Sequence, residues 1–234
     1  MKYAGVIALI AAVIGGAAAA LMLFGARLGL WEPITGFGLY RSYFNPLAMI
    51  VTGVGLVALV IHLVRKEKAQ ALLGGVTALI GVALLIPLIS GTLNPTPRAA
   101  PINDISTDTA NPPAFLASDS PRPYAGAETA ETQARAYPDI APLITDLDAD
   151  AAYARALDVA NGMGWEIVAA DAENNRFEAI ARTSVFYFAD DVVVVVTPQE
   201  SGSRVDMRSL SRVGRSDQGV NAARIRGFQE QFQN

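Results

Sequence analysis

Five consecutive valines, Val192 to Val196, constrain the fold of this chain more than any other stretch. Valine favours the extended backbone because its branched side chain packs well on a pleated surface. Successive residues of a strand point to opposite faces of the sheet, so an unbroken run of valines predicts a strand that is buried on both faces. The fold must therefore supply two layers that cover this strand.

The residues around the valine strand predict further short strands and two helices. Asp148 or Asp150 can cap a first helix that stops at Gly164, and a closing helix carries an apolar stripe. The stripe consists of Asn221, Ile225, Phe228 and Phe232, and the predicted strands are Trp165 to Ala170, Arg176 to Thr183, Val192 to Thr197 and Arg204 to Val213. The order α-β-β-β-β-α predicts an α+β domain over residues 148–234, an antiparallel four-stranded meander with flanking helices.

Residues 95–147 contain nine of the thirteen prolines, a density that favours extended chain over long helices. A flexible linker is one interpretation. Large apolar residues recur through the segment, however, and a pure linker rarely carries so many. The two helices can cover only one face of the sheet. We therefore predict that the segment packs on the domain, with Ile102, Ile105, Phe115 or nearby apolar residues covering the second face. The alternative is that a partner protein or the membrane surface covers that face.

Three apolar stretches precede this segment: Tyr3 to Phe24, Leu47 to Val64 and Ala69 to Ile89. Each approaches the length of about 20 residues that crosses the hydrocarbon core of a bilayer. Residues 1–94 are therefore predicted to form an anchor of three transmembrane helices. The first stretch also resembles a signal peptide with a cleavage site among its alanines, although the two later spans favour an uncleaved helix.

The distribution of basic residues predicts how the anchor is oriented. Lys2 and the basic turn at residues 65–68 lie on one side of the membrane, and the loop on the other side offers only Arg27 and Arg41. Basic residues next to helix ends favour the cytoplasmic side. The prediction is a three-pass protein of the cytoplasmic (inner) membrane, with a cytoplasmic N-terminus and a periplasmic, or otherwise extracytoplasmic, C-terminal domain.

Small residues in the predicted spans permit close helix packing inside lipid. They are Gly15, Gly16, Gly53, Gly55, Gly74, Gly75 and Gly81. Packing among the three helices is the simpler interpretation, and a docking face for a larger membrane complex is the alternative. The single histidine, His62, is predicted at a helix end near the headgroups rather than as a ligand.

Composition argues against several classes of function. Residues 95–234 hold twelve arginines, no lysine and twenty acidic residues, and an acidic domain disfavours nucleic acid as a partner. The chain has no cysteine, which rules out disulfides, thiolate catalysis and zinc–cysteine sites. A serine nucleophile needs a base, and residues 95–234 contain neither histidine nor lysine. The acids at residues 146–150 lack the glycine and distal glutamate of a calcium loop, so neither a metal nor a cofactor is predicted.

Several short elements occur in an order that resembles one known family. They are PINDISTD at residues 101–108, PPAF at 112–115, YP at 137–138, GW at 164–165, DDV at 190–192, RVDMRS at 204–209, SRVG at 211–214 and SDQGVNA at 216–222. Together they resemble the family named domain of unknown function 1499, over about residues 98–232. The resemblance implies that the proline-rich segment belongs to the domain, and it implies no activity. Val195 stands where the resemblance leads us to expect a basic residue.

Polar residues cluster towards the end of the domain and form the candidate site for an anion or a partner. They are Asp206, Arg208, Arg212, Arg215, Ser216, Asp217, Asn221 and Arg224. Guanidinium groups and a helix N-terminus both favour carboxylate or phosphate. The alternative is a lattice of salt bridges on a solvated sheet face, with Ser216 and Asp217 capping the last helix. Strand alternation places Asp206, Arg208 and Arg212 on one face, with Ser209 and Ser211 on the other.

These observations predict a membrane-tethered extracytoplasmic domain that acts as a non-catalytic interaction or accessory protein. Its expected partners are the lipid bilayer, a larger membrane complex or an anionic component of the envelope. The alternative is an enzyme that acts on an envelope acid or lipid through acidic and arginine residues. Adjacent acids such as Asp190 and Asp191 point to opposite faces of a strand, which weakens them as a catalytic pair, but this rule is weaker at a turn, where these two residues are predicted to lie.

Overall fold

A computed structural model describes residues 3–95, 98–117 and 122–234. Lys2, which entered the orientation prediction, and Pro97 and Pro121, which were counted in the proline-rich segment, lie outside the described residues. The chain forms two compact units. One comprises Met1–Pro97 with Ser184–Tyr187, and the other comprises Arg98–Thr183 with Phe188–Asn234.

Within its described residues, the first unit contains four helices: α1 Ala4–Phe24, α2 Pro33–Val64, α3 Lys68–Leu84 and α4 Ile86–Leu93. Two of them, α1 and α2, are long and apolar enough to cross a membrane. The third predicted span is divided between α3 and α4, which are bent by 48°. Pro87 lacks the N–H group that would continue the helical hydrogen bonds through this point. The described anchor therefore has two clear candidate spans, or three if the bent pair counts as one.

Helix α2 begins at Pro33 rather than at the predicted Leu47, so the predicted loop between the first two spans is largely helical. Pro33 suits the first helical position because its missing N–H needs no intrahelical partner there. His62 lies in the last turn of α2, as predicted, and its Nδ1 is 2.5 Å from Oε2 of Glu67.

Some glycines of the first unit permit close packing between its own helices. A Cβ atom added at Gly55 would collide with Ala78, and one added at Gly74 would collide with Leu59. Gly16 and Gly53, by contrast, have no described atom within 4 Å of the Cβ position. Packing within the anchor thus accounts for part of the small-residue pattern.

The second unit contains an antiparallel sheet of six strands, so the α+β class is confirmed and the predicted number of strands is wrong. The strands are β1 Asp104–Ser106, β2 Leu143–Thr145, β3 Glu166–Asp171, β4 Arg176–Arg182, β5 Ala189–Pro198 and β6 Ser203–Ser211. They are ordered β1-β6-β5-β4-β3, and β2 also pairs with β6. The two additional strands hydrogen-bond along β6, which would otherwise expose unpaired backbone groups. Each has only three residues, too few for a periodic pattern.

Three helices complete this unit: α5 Ala127–Ala136, α6 Ala149–Gly162 and α7 Val220–Gln233. Helix α5 contradicts the prediction of extended chain throughout residues 95–147. The helix can form because its ten residues contain no proline. Its Gln133 side chain accepts a hydrogen bond from the Ser106 N–H at 3.0 Å and donates one to the Ser106 carbonyl at 2.6 Å. The glutamine amide thus satisfies the backbone at the end of β1.

Helices α6 and α7 pack on one side of the sheet, which we call the helix face. The α7 stripe is buried as predicted, and Phe228 stacks on Trp165 with ring centroids 5.6 Å apart. Ile102 and Ile105 also join this core, so these two of the residues offered for the second face do not cover it. Strand alternation in β1 directs Ile105 to the helix face and Asp104 to the other side.

The second side of the sheet is covered by residues 108–117 and 122–124, which we call the strap, and we call this side the strap face. Phe115 packs there against Val193 and Leu210 in a small cluster of buried residues. The middle of the valine strand is therefore buried on both faces, as the sequence predicts. Val195 is partly buried against the same cluster.

Candidate functional site

A buried ion pair lies beneath the strap. Arg208 is only 1% exposed, and its Nε and Nη2 atoms each donate to a carboxylate oxygen of Asp104 at 2.8 Å. The same guanidinium donates to the Pro113 and Arg122 carbonyls at 3.3 and 3.1 Å. Its carbon lies 5.0 Å from the centre of the Phe115 ring, a distance suited to a cation–π contact. This part of the predicted salt-bridge lattice exists, but it is not solvated because the strap excludes water from it.

Tyr124 lies on the other side of the same guanidinium, with its ring centre 5.5 Å from the Arg208 carbon. Burial, assisted by the negative charge of Asp104, raises the pKa of the Tyr124 phenol to about 12. Tyr124 therefore remains protonated and neutral at physiological pH. The guanidinium of Arg208 already donates to Asp104 and to two strap carbonyls and is almost fully buried, so it is a structural group rather than an exposed site for an external anion.

A second carboxylate holds the strap to the sheet. The backbone N–H groups of Leu116 and Ala117 donate to Oε1 of Glu178 at 2.6 and 3.1 Å. Arg176 donates to the same oxygen at 3.1 Å. Glu178 is buried, and the hydrogen bonds that its carboxylate accepts attach the strap to the sheet.

Asp206 takes part in a separate cluster near the start of the strap. Arg204 donates to Oδ2 of Asp206 at 2.7 Å and to Oδ2 of Asp108 at 2.5 Å. Hydrogen bonding to Asp206 and then to Asp108 raises the pKa of Arg204. The hydrogen bond from the Asn111 N–H lowers the pKa of the Asp108 carboxyl, and the hydrogen bond from Arg204 lowers it further. Asp206 is consequently a structural partner of Arg204.

The remaining predicted site residues lie on the helix face or before α7. Arg224 donates to Oδ2 of Asp190 at 2.6 Å and to the Ser209 hydroxyl at 2.9 Å. The Ser209 hydroxyl also donates to Oδ1 of Asn221 at 2.7 Å. These residues form a buried polar network, and they are separated by the sheet from Arg208 and Arg212. The eight candidate residues therefore do not form one site.

The loop before α7 holds the last three candidate residues. Asp217 accepts hydrogen bonds from the N–H groups of Gly219 and Asn221 at 2.9 and 2.7 Å, so it satisfies an N–H group in the first turn of α7, although the N-cap residue itself is Gly219. Burial raises the pKa of the Asp217 carboxyl. Ser216 donates to the Ala100 carbonyl at 3.1 Å, and Arg215 is exposed.

One candidate, Arg212, lies in an open cleft of about 490 Å³ on the strap face. Its Nη2 and Nε donate to Oδ1 of Asp191 at 2.7 and 3.0 Å. Arg122, from the strap, binds the other oxygen of Asp191 and also donates to the Ser211 carbonyl at 3.1 Å. Val168 and Ile180 lie on the floor of the cleft. The cleft thus combines two guanidinium groups around one carboxylate with an apolar surface.

The family comparison matches the part of the chain that builds this cleft. The model of the family described as "Protein of unknown function (DUF1499)" matches residues 104–232, from β1 into α7. The chain belongs to the DUF1499 family. This confirms the resemblance seen in the sequence. A search of curated proteins found no match.

The cleft of this DUF1499 domain includes Arg122, Glu178 and Asp191, which were not among the predicted site residues. Alternation did predict that Asp190 and Asp191 point to opposite faces, and this is confirmed by their bonds to Arg224 and Arg212. Arg122 carries no periodic signal, since it lies between prolines and meets Asp191 across 69 residues of sequence. The signal that could have identified Arg122 is its position in a proline-rich segment whose large apolar residues indicate packing on the domain.

The donors in this DUF1499 cleft favour binding over proton transfer. The oxygens of Glu178 and Asp191 already accept from N–H groups, whereas guanidinium groups can only donate. Among residues 3–95, 98–117 and 122–234, no three His, Cys, Asp or Glu side chains are grouped in a way that could hold a metal ion. The arrangement is suited to an anionic group that approaches the arginine side of the cleft.

Proposed function

We propose that this chain is a membrane-tethered, extracytoplasmic member of the DUF1499 family that binds an anionic component of the cell envelope in the cleft. The observation that carries the proposal is the placement of Arg122 and Arg212 around Asp191 at the edge of a cleft of about 490 Å³. Charge-assisted hydrogen bonds from guanidinium groups are the usual means of holding a carboxylate or phosphate.

The proposed function is non-catalytic. A general base needs a lone pair that faces the substrate. Both Glu178 oxygens accept from backbone N–H groups of the strap, and both Asp191 oxygens accept from guanidinium groups. This use of the acidic groups supports binding and gives no specific support to the enzyme alternative.

The tether is proposed to cross the membrane three times and to place the domain outside the cytoplasm. An alkaline phosphatase fused after Asn234 is expected to be active, because that reporter folds only outside the cytoplasm. The same reporter fused after Lys66, in the basic turn, is the matched control and is expected to be inactive because basic residues favour the cytoplasmic side. An active fusion at Lys66 together with an inactive one at Asn234 would reverse the proposed orientation.

Binding in the cleft can be tested with benzoate, a soluble organic monoanion. We expect the full chain in an uncharged detergent to bind benzoate, as measured by saturation-transfer NMR. Arg122→Gln should weaken binding roughly tenfold or more, since a hydrogen bond to a charged group contributes about 1.5–3 kcal/mol.

Arg135→Gln is the matched control for this measurement. It removes the same charge from an exposed position on α5, where the Arg135 side chain is 71% exposed. Its affinity for benzoate should equal that of the unmodified chain. Equal affinities in all three proteins would contradict the assignment of the cleft as the anion site.

A further inference from the structure

The floor of the cleft offers apolar surface that an anionic group alone would not use. Val168 on β3 is 47% exposed, and Ile180 on β4 lies beside it in the floor. Because β3 is the last strand of the sheet, this apolar floor extends to the sheet edge. Apolar surface is stabilised by removal from water at about 25 cal/mol per Å². A ligand that covers the floor would therefore gain affinity that a small inorganic anion cannot gain.

The charged groups of the cleft are unevenly distributed. Arg122 retains 29% of its side-chain exposure while it binds Asp191, and a guanidinium has five N–H donors. At the other end, Glu178 lines the cleft, but its carboxylate accepts hydrogen bonds from the N–H groups of Leu116 and Ala117 and is buried. The opening therefore presents a cationic end and an apolar remainder.

We propose that the ligand of this cleft is an amphiphilic anion. Its carboxylate or phosphate would bind at Arg122, and its hydrocarbon chain would cover Val168 and Ile180. This inference rests on the proposed anion-binding function and adds the apolar half of the ligand. The cleft volume of about 490 Å³ lies within the range of about 300–1,000 Å³ that is common for small-molecule sites. A free fatty acid and an anionic phospholipid both supply this chemistry.

The test separates the two halves of the ligand. Butanoate, hexanoate and octanoate are titrated into the full chain in uncharged detergent by calorimetry, and titrations into empty micelles are subtracted. Each methylene that becomes fully buried should raise affinity about fourfold, so we expect octanoate to bind at least about tenfold more tightly than butanoate. Arg122→Gln should weaken all three by a similar factor.

The matched variants concern the floor. Val168→Thr keeps the branched shape and should reduce octanoate affinity about threefold while leaving butanoate unchanged. Val220→Thr is the control, since Val220 is 36% exposed at the start of α7 and does not line the cleft. An affinity that is independent of chain length, or unchanged in Val168→Thr, would overturn the amphiphile inference.

Two further comparisons complete the experiment. The affinity for dihexanoyl phosphatidylglycerol is compared with that for dihexanoyl phosphatidylcholine and with that for octanoate. If phosphatidylglycerol binds more tightly than both, the anionic group comes from a lipid headgroup rather than from a free fatty acid. If benzoate binds through Arg122 but chain length has no effect, the proposed function stands and this inference falls. If neither benzoate nor any alkanoate binds, both are overturned.

Discussion

Arg208→Met is expected to lower the free energy of unfolding of the DUF1499 domain by about 3–5 kcal/mol, because it leaves the buried Asp104 carboxylate without its partner. Both side chains are almost completely buried, at 2% and 4% exposure. The substitution also removes the donors to the Pro113 and Arg122 carbonyls, so the strap should loosen. Urea unfolding of the full chain can be followed by Trp165 fluorescence in a Trp31→Phe background, since the chain has two tryptophans.

The control for this prediction is the double variant Asp104→Leu with Arg208→Met. An apolar pair of similar volume removes the uncompensated charge, and replacements of this kind are often neutral or stabilising. We therefore expect the double variant to recover much of the loss caused by Arg208→Met. A single variant that costs less than about 1 kcal/mol would mean that water reaches Asp104 beneath the strap.

Phe228→Ala is expected to destabilise the domain by about 3–5 kcal/mol, the usual range for removal of a buried phenylalanine. Phe228 is fully buried in the core of the helix face, between the rings of Trp165 and Phe232. The cavity left by the ring cannot close easily, because the ring is held between α7 and the sheet. The same urea titration measures the effect through Trp165.

Gln229→Ala is a suitable comparison for this substitution. Gln229 is on the same helix, and its side chain donates one hydrogen bond to the Ala141 carbonyl at the surface. Its replacement should cost about 1 kcal/mol or less. Similar losses in both variants would indicate that α7 is loosely attached to the sheet.

Regular periodicity made part of this fold predictable. The i, i+4, i+7 spacing of α7 identified four of its six buried residues, and alternation along β6 separated Arg208 from Ser209. The same alternation identified the two orientations of Asp190 and Asp191. In each case, neighbouring residues in sequence supply the geometric information, so no long-range contact needs to be known.

The features that were missed depend on contacts between distant segments. Strand β1 has three residues and exists because β6 offers hydrogen-bonding groups to it. The cleft requires Arg122 to meet Asp191, and no local spacing connects a residue in the strap with one in the valine strand. Helix α5 was missed for a different reason, because proline density was applied to a whole segment whose residues 127–136 contain none.

The pairing of β1 and β2 with β6 has a consequence for biosynthesis. Asp104 and Arg208 are 104 residues apart, and both early strands find their hydrogen-bonding partner in the last strand of the domain. Contacts between such distant residues form slowly, since a long loop must close first. While the chain is being synthesised, the valine strand can pair with β4 before the edge that pairs with β1 and β2 has been made. The ribosome must therefore complete Ser203–Ser211 before these two early strands can join the sheet.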